Sequence, residues 1–134
     1  MTARGHRVFV IDDDHSVCRG LARLLDAAGF RVETFESGAA FLSRSPPKGE
    51  HCLVVDVRMP FMTGPELLDT LRAQGRDSPV IFITAHEIEL IEHEIGQTPV
   101  LHKPIEGDLL VRAIDNAIAS LDRRPTRRAR GGRR

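Results

Sequence analysis

Five short apolar runs punctuate the chain, and between them apolar residues recur every three or four positions. Val8-Phe9-Val10-Ile11 is unbroken and ends in charge, the pattern of a central parallel strand covered on both faces. Phe30-Arg31-Val32-Glu33-Thr34-Phe35 alternates as an edge strand does; Cys52-Leu53-Val54-Val55, Val80-Ile81-Phe82-Ile83 and the short Val100-Leu101 complete the set. Helical spacing fills the intervals. Val17, Leu21, Leu24, Leu25 and Ala28 precede Gly29; Ala39, Ala40, Phe41 and Leu42 follow Ser37, a candidate cap; Leu67, Leu68 and Leu71 follow Pro65. Leu109, Leu110, Ala113, Ile114, Ala117, Ile118 and Leu121 give the last helix the clearest amphipathic period. Strand and helix thus alternate five times, which predicts an α/β fold: a doubly wound, five-stranded parallel sheet with helices on both faces and right-handed crossovers. The weak stretch is Glu87 to Gly96, where Ile88, Leu90, Ile91 and Ile95 sit among four glutamates and support a short helix at most.

Composition refines this picture in two places. A length of 134 residues fits one compact domain, assigned to residues 6–122. Net charge is zero, but seven of the nineteen basic residues are the arginines at 123, 124, 127, 128, 130, 133 and 134. Without them twelve basic residues face nineteen acidic ones, so the folded part is acidic and residues 123–134 read as a disordered basic tail. No apolar run approaches the roughly twenty residues that span a bilayer, and Met1 to Gly5 lack a secretory pattern, so the expectation is a soluble, cytoplasmic protein with no membrane partner. Cys18 and Cys52 have neither redox nor zinc spacing and are expected to be reduced thiols packed in the core.

Candidate chemistry lies where the strands end. Ile11-Asp12-Asp13-Asp14, Val55-Asp56-Val57-Arg58-Met59-Pro60, Ile83-Thr84-Ala85 and His102-Lys103-Pro104 each follow an apolar run. Parallel strands deliver such residues to the carboxyl edge of the sheet, where open α/β folds bind ligands. An adjacent acid pair is by itself often a solvated turn or a helix cap. Asp12, Asp13 and Asp56 brought together would repel unless protonated or met by a cation, and hard oxygen ligands favour Mg²⁺. Thr84 has two open roles, cap of the next helix or hydrogen-bond donor to a ligand. Of six histidines, His86 and His93 are seven apart and could share a helix face, but no third ligand has matching spacing. His15 and His102 adjoin the candidate site and could tune access to it.

The order acid pair, single acid, Thr, Lys-Pro resembles the receiver domain of response regulators in bacterial two-component signalling, from about His6 to Leu121. The most specific string is Arg58-Met59-Pro60-Phe61-Met62-Thr63-Gly64-Pro65, which is similar to the loop that follows the receiver phosphoacceptor. In that loop Pro60 and Gly64 fix the turn and Pro65 suits the first helical position. The resemblance implies a flavodoxin-like strand order 2-1-3-4-5 and phosphorylation of Asp56. It implies Mg²⁺ held by Asp12 or Asp13, Asp56 and the backbone carbonyl of Arg58. Lys103 and Thr84 would contact the phosphoryl group, with the Lys103-Pro104 bond cis. Implied partners are a sensor histidine kinase or histidine phosphotransfer protein and a downstream protein target.

Two departures accompany the likeness. The Thr84–Lys103 interval is about three residues shorter than in receivers, so the fourth helix is expected to be truncated or displaced. Receivers commonly carry Tyr or Phe three residues before the lysine, whereas this chain has Val100, and no Tyr or Trp anywhere. The leading expectation is a stand-alone phosphoacceptor module, not an enzyme, that signals by protein contact; a phosphate sink is its variant. Two other classes compete. Nucleic-acid association through the Arg-rich tail would be strongly salt-dependent, though no aromatic interleaves the arginines. An enzyme of the haloacid dehalogenase type would place its nucleophile in Asp12-Asp13-Asp14.

Overall fold

The computed structural model describes residues 5–88 and 91–123. The elements are β1 (Arg7–Ile11), α1 (His15–Ala27), β2 (Arg31–Phe35), α2 (Gly38–Ser43), β3 (His51–Asp56), α3 (Gly64–Ala73), β4 (Val80–Thr84), α4 (Glu92–Ile95), β5 (Val100–His102) and α5 (Gly107–Arg123). All strand pairings are parallel, in the order β2-β1-β3-β4-β5. Of the basic tail expected over residues 123–134, Arg123 is the last residue of α5 and the rest, from residue 124 onward, lies outside the described residues, as do Glu89 and Leu90.

Side-chain alternation along the strands divides the core. Val8, Val10, Cys52, Val54, Ile81 and Ile83 face Cys18, Leu21 and Leu25 of α1 and Leu110, Ile114 and Ile118 of α5. Phe9, Ile11, Leu53, Val55 and Phe82 face the other way, against Phe41 of α2, Leu67, Leu68 and Leu71 of α3, and Ile95 of α4. Removing each such side chain from water contributes about 1.5–3 kcal/mol, which is why no charged residue interrupts the central strands. β2 lies at the edge and leaves Arg31 and Glu33 exposed, as its alternation predicts, whereas Thr34, on the alternate face, is exposed as well. Both cysteines are buried free thiols; burial above all, with the charge of Asp12 at Cys18, pushes them up to about 11 for Cys18 and about 12 for Cys52.

Side chains cap the starts of α1, α2, α3 and α5, with Glu106 accepting from the Leu109 amide at α5. Asp14 accepts from the Ser16 and Val17 amides, Ser37 accepts from Ala40, and Thr63 and Glu66 form a reciprocal capping box at α3. Pro65 is the second residue of α3, since the helix opens at Gly64. In α5, Leu110, Ile114 and Ile118 form the buried stripe, whereas Leu109 is 49 % exposed. One helical step of about 100° carries it off the stripe that Leu110 joins.

The short fourth helix is a single turn, with no side-chain hydrogen bond at its N-cap. Ile91 and Ile95 anchor it in the core. His86 lies before this helix and only His93 within it, so the two do not share a helix face. The segment is too short for seven residues to run through one helix.

Candidate functional site

Register brings the acids together. β1 and β3 pair Ile11 with Val55, so the next residues, Asp12 and Asp56, emerge side by side at the carboxyl edge. Asp12 is fully buried, Asp56 is 5 % exposed and Asp13 is exposed. Carboxylate oxygens of Asp12, Asp13 and Asp56 lie within 4.8 Å of one another. Asp14, the third acid of the run, faces away as the cap of α1, and its hydrogen bonds to Ser16, first the side chain and then the backbone amides of Val17 and Ser16, hold it below the usual carboxylate range.

β5 supplies the counter-charge. The Lys103 amide donates to the Thr84 carbonyl at 2.7 Å, which continues the β4–β5 ladder and fixes where its side chain starts. The ammonium lies 2.8 Å from Asp12 Oδ2 and 3.5 Å from Asp56 Oδ1. Burial acts to lower the Lys103 pKa, but the contact with Asp12 and the charges of Asp56 and Asp12 outweigh it and hold the group above its ordinary value. Asp56 moves the other way for an acid: burial first and the charge of Asp12 second push its carboxyl up to about 6, against the opposing pull of Lys103. The Lys103-Pro104 peptide is cis.

Three carboxylates and one ammonium leave two formal negative charges in one pocket. Two like charges at about 5 Å repel by roughly 3 kcal/mol at an effective dielectric of about 20. The hard oxygen set and the raised Asp56 pKa therefore fit a divalent cation, with Asp12, Asp13 and Asp56 as the side chains able to hold it.

Thr84 is fully buried at the end of β4, and its Oγ1 accepts from the His86 amide at 3.0 Å. The hydroxyl oxygen thus closes a local turn while its proton stays available to another acceptor. His15 turns to Glu36 at 2.7 Å, and His102 is exposed on the neighbouring strand end.

The loop after Asp56 is held by two backbone bonds, Val57 N–H to the Ile83 carbonyl and Gly64 N–H to the Val57 carbonyl, both 2.9 Å. Its left-handed residue is Phe61 (φ 69°), not Gly64. Gly64 is instead required by a close approach: a Cβ there would meet the Asp56 carbonyl oxygen at 2.6 Å and Phe82 Cε1 at 3.0 Å. Gly64→Ala is accordingly expected to destabilise the fold by about 2 kcal/mol by overpacking and to shift Asp56. Urea denaturation checks this, and an unchanged midpoint would refute it.

Several contacts gave no sequence signal. Cys18 Sγ donates to the Asp12 carbonyl at 3.2 Å. The Arg58 guanidinium meets both carboxylate oxygens of Glu94, with Nη1 to Oε2 at 2.8 Å. Helical spacing marks Cys18 as core, but nothing local links positions 58 and 94.

Comparison with known proteins agrees with this arrangement. A family model described as response regulator receiver domain matches residues 8–115. The transcriptional regulatory protein FixJ of Bradyrhizobium diazoefficiens is 40% identical over 121 residues, covering 88% of this chain and 58% of FixJ. The response regulator protein TodT of Pseudomonas putida is 33% identical over 121 residues, covering 88% of this chain and 53% of TodT. Among solved structures, full-length FixJ from B. japonicum superposes with a TM-score of 0.79 at 37% identity, covering 88% of this chain and 60% of that one. The structure titled FixJ-N gives 0.76 at 33% identity, covering 87% of this chain and 95% of that one. The chain thus spans little more than half the length of the curated relatives it matches.

Proposed function

The chain belongs to the response regulator receiver family, and on that premise we propose that Asp56 is its phosphoacceptor, receiving a phosphoryl group from a sensor histidine kinase or histidine phosphotransfer protein. The observation that carries the assignment is the pocket itself: Asp56 stands among Asp12, Asp13 and the Lys103 ammonium at the carboxyl edge.

In the proposed reaction an Asp56 carboxylate oxygen attacks phosphorus, the P–O bond forms and the P–N bond of the donor phosphohistidine breaks. The electron pair returns to the imidazole nitrogen, which leaves and takes up a proton from solvent. Asp56 attacks as the carboxylate, the form it holds above about pH 6. Lys103 faces the charge gained by the phosphoryl oxygens, and the Thr84 hydroxyl donates its free proton to one of them. Asp12, Asp13, Asp56 and the Arg58 carbonyl would hold Mg²⁺, which would supply further positive charge for the transferring group. We place the module in the cytoplasm, a reading supported by two unpaired, buried thiols. No described helix is long and apolar enough to cross a membrane. The output is proposed to be contact with a protein target.

The haloacid dehalogenase reading finds no support in the first loop, where Asp14 is occupied as a helix cap and Asp12 is buried against Lys103. The test is incubation of the chain with acetyl phosphate and Mg²⁺, followed by mass mapping. A Mg²⁺-dependent adduct on Asp56 is expected; an adduct on Asp12 or Asp13 would overturn the assignment.

A further inference from the structure

We propose that Glu94 is a positioning residue for the cation site, acting through Arg58, so that occupancy of the site and the order of α4 are coupled. The inference rests on the reading of Asp56 as a receiver phosphoacceptor.

Arg58 directly follows Val57, the first residue of the loop after β3 and the one the sheet pins. Val57 is fixed through both its amide and its carbonyl, and Met59 is buried in the core, leaving the Arg58 peptide between the two anchors. Its side chain reaches across to α4 and grips Glu94 with both terminal nitrogens, 36 positions along the chain. A two-pronged guanidinium–carboxylate pair fixes direction as well as distance. The contact therefore restrains the residue whose backbone carbonyl belongs to the proposed cation set.

The other end of the tie is an element with little order of its own. α4 has four residues, no side-chain hydrogen bond at its N-cap, and two buried isoleucines as anchors. A single turn is not a self-sustaining helix. The ion pair between Glu94 and Arg58 ties its exposed side to the neighbouring loop. If that tie orients the Arg58 carbonyl toward a cation, linkage requires that the cation strengthen the tie in return. The route runs from the site to the α4 surface without an aromatic side chain at position 100, where this chain has Val100, half-buried against the same core cluster.

Calorimetric titration of the full chain with Mg²⁺ tests the coupling in a two-by-two set: unaltered chain, Glu94→Gln, Arg58→Gln and the double variant. Glu94→Gln is expected to weaken Mg²⁺ binding about threefold to fivefold when Arg58 is present, on the scale of a well-formed exposed ion pair. It is expected to have no further effect in the Arg58→Gln background. Equal weakening in both backgrounds would mean that Glu94 acts only by its charge through solvent, and would overturn the proposal. Hydrogen exchange gives the reciprocal readout: Mg²⁺ should slow exchange at residues 92–96 in the unaltered chain and not in Glu94→Gln. Slowing that is identical in the two also overturns it. Failure of the unaltered chain to bind Mg²⁺ would overturn the cation site and this coupling together, whereas binding with additive variants removes the coupling alone.

Discussion

Asp56→Asn is expected to abolish labelling by acetyl phosphate and, in Mg²⁺-free buffer at pH 8, to make the folded chain more stable by about 2 kcal/mol. Both effects come from the same burial. The carboxyl is pushed up to about 6 in the fold by desolvation and by Asp12, against an ordinary value of 3.8. Between those values the folded chain holds a proton that the unfolded chain has released. Stability therefore falls as pH rises from about 4 to about 6, and it stays reduced above. One unit corresponds to about 1.4 kcal/mol, so two units give close to 3, which access of water to the pocket mouth and coupling to Lys103 reduce to about 2 kcal/mol. Asparagine keeps the shape and an acceptor while removing the charge. Urea denaturation of both proteins at pH 8 and pH 4 checks the sign, since the gain should be largely gone at the lower pH. A gain of the same size at both, or a loss at pH 8, would show that Asp56 is not ionised at a cost in the fold.

Lys103→Met should have the opposite sign and a larger size. Asp12 is fully buried and its Oδ2 meets the ammonium at 2.8 Å; Asp56 Oδ1 lies 3.5 Å away. Methionine preserves much of the stem but leaves the two carboxylates facing each other without a cation. Breaking a buried ion pair from one side costs about 3–5 kcal/mol, so a loss of about 3 kcal/mol is expected at pH 8 without divalent ions. Millimolar Mg²⁺ should recover part of it, because a ligand that binds only the folded state stabilises it. Adding Asp56→Asn should recover part as well, making the double variant non-additive. A loss independent of pH, Mg²⁺ and Asp56 would assign Lys103 a packing role. Phosphorylation should fall at least tenfold in the same variant, since the charge facing the phosphoryl oxygens is gone.

How the site was legible can be followed residue by residue. Asp12, Asp56, Thr84 and Lys103 stand at strand ends, and strand ends are marked locally by an apolar run giving way to polarity. Parallel pairing then obliges those positions to gather at one edge, while the neighbouring of β1 and β3 that sets Asp12 beside Asp56 was implied only by the receiver resemblance. Roles within the acid run were not legible. Asp12, Asp13 and Asp14 are chemically identical, and only backbone direction separates the buried acid from the exposed one and the helix cap. Gly64 was readable as a turn residue, yet it serves close approach to the Asp56 carbonyl, a contact with no local pattern. Leu109 was readable as part of an apolar stripe but is half exposed, because periodicity defines a face only to within a step.

The sequence by itself determined the number, order and type of the elements, the parallel sheet and the edge on which the polar residues collect. These follow from hydrophobic period and from the exclusion of charge from strands buried on both faces, signals carried by neighbours in the chain. Only the tertiary structure decided that Lys103 leans more closely on Asp12 than on Asp56, that desolvation raises the Asp56 carboxyl, and that Glu94 grips Arg58. Each depends on distance and solvent exclusion between segments far apart in sequence. Such quantities exist only once the chain is packed.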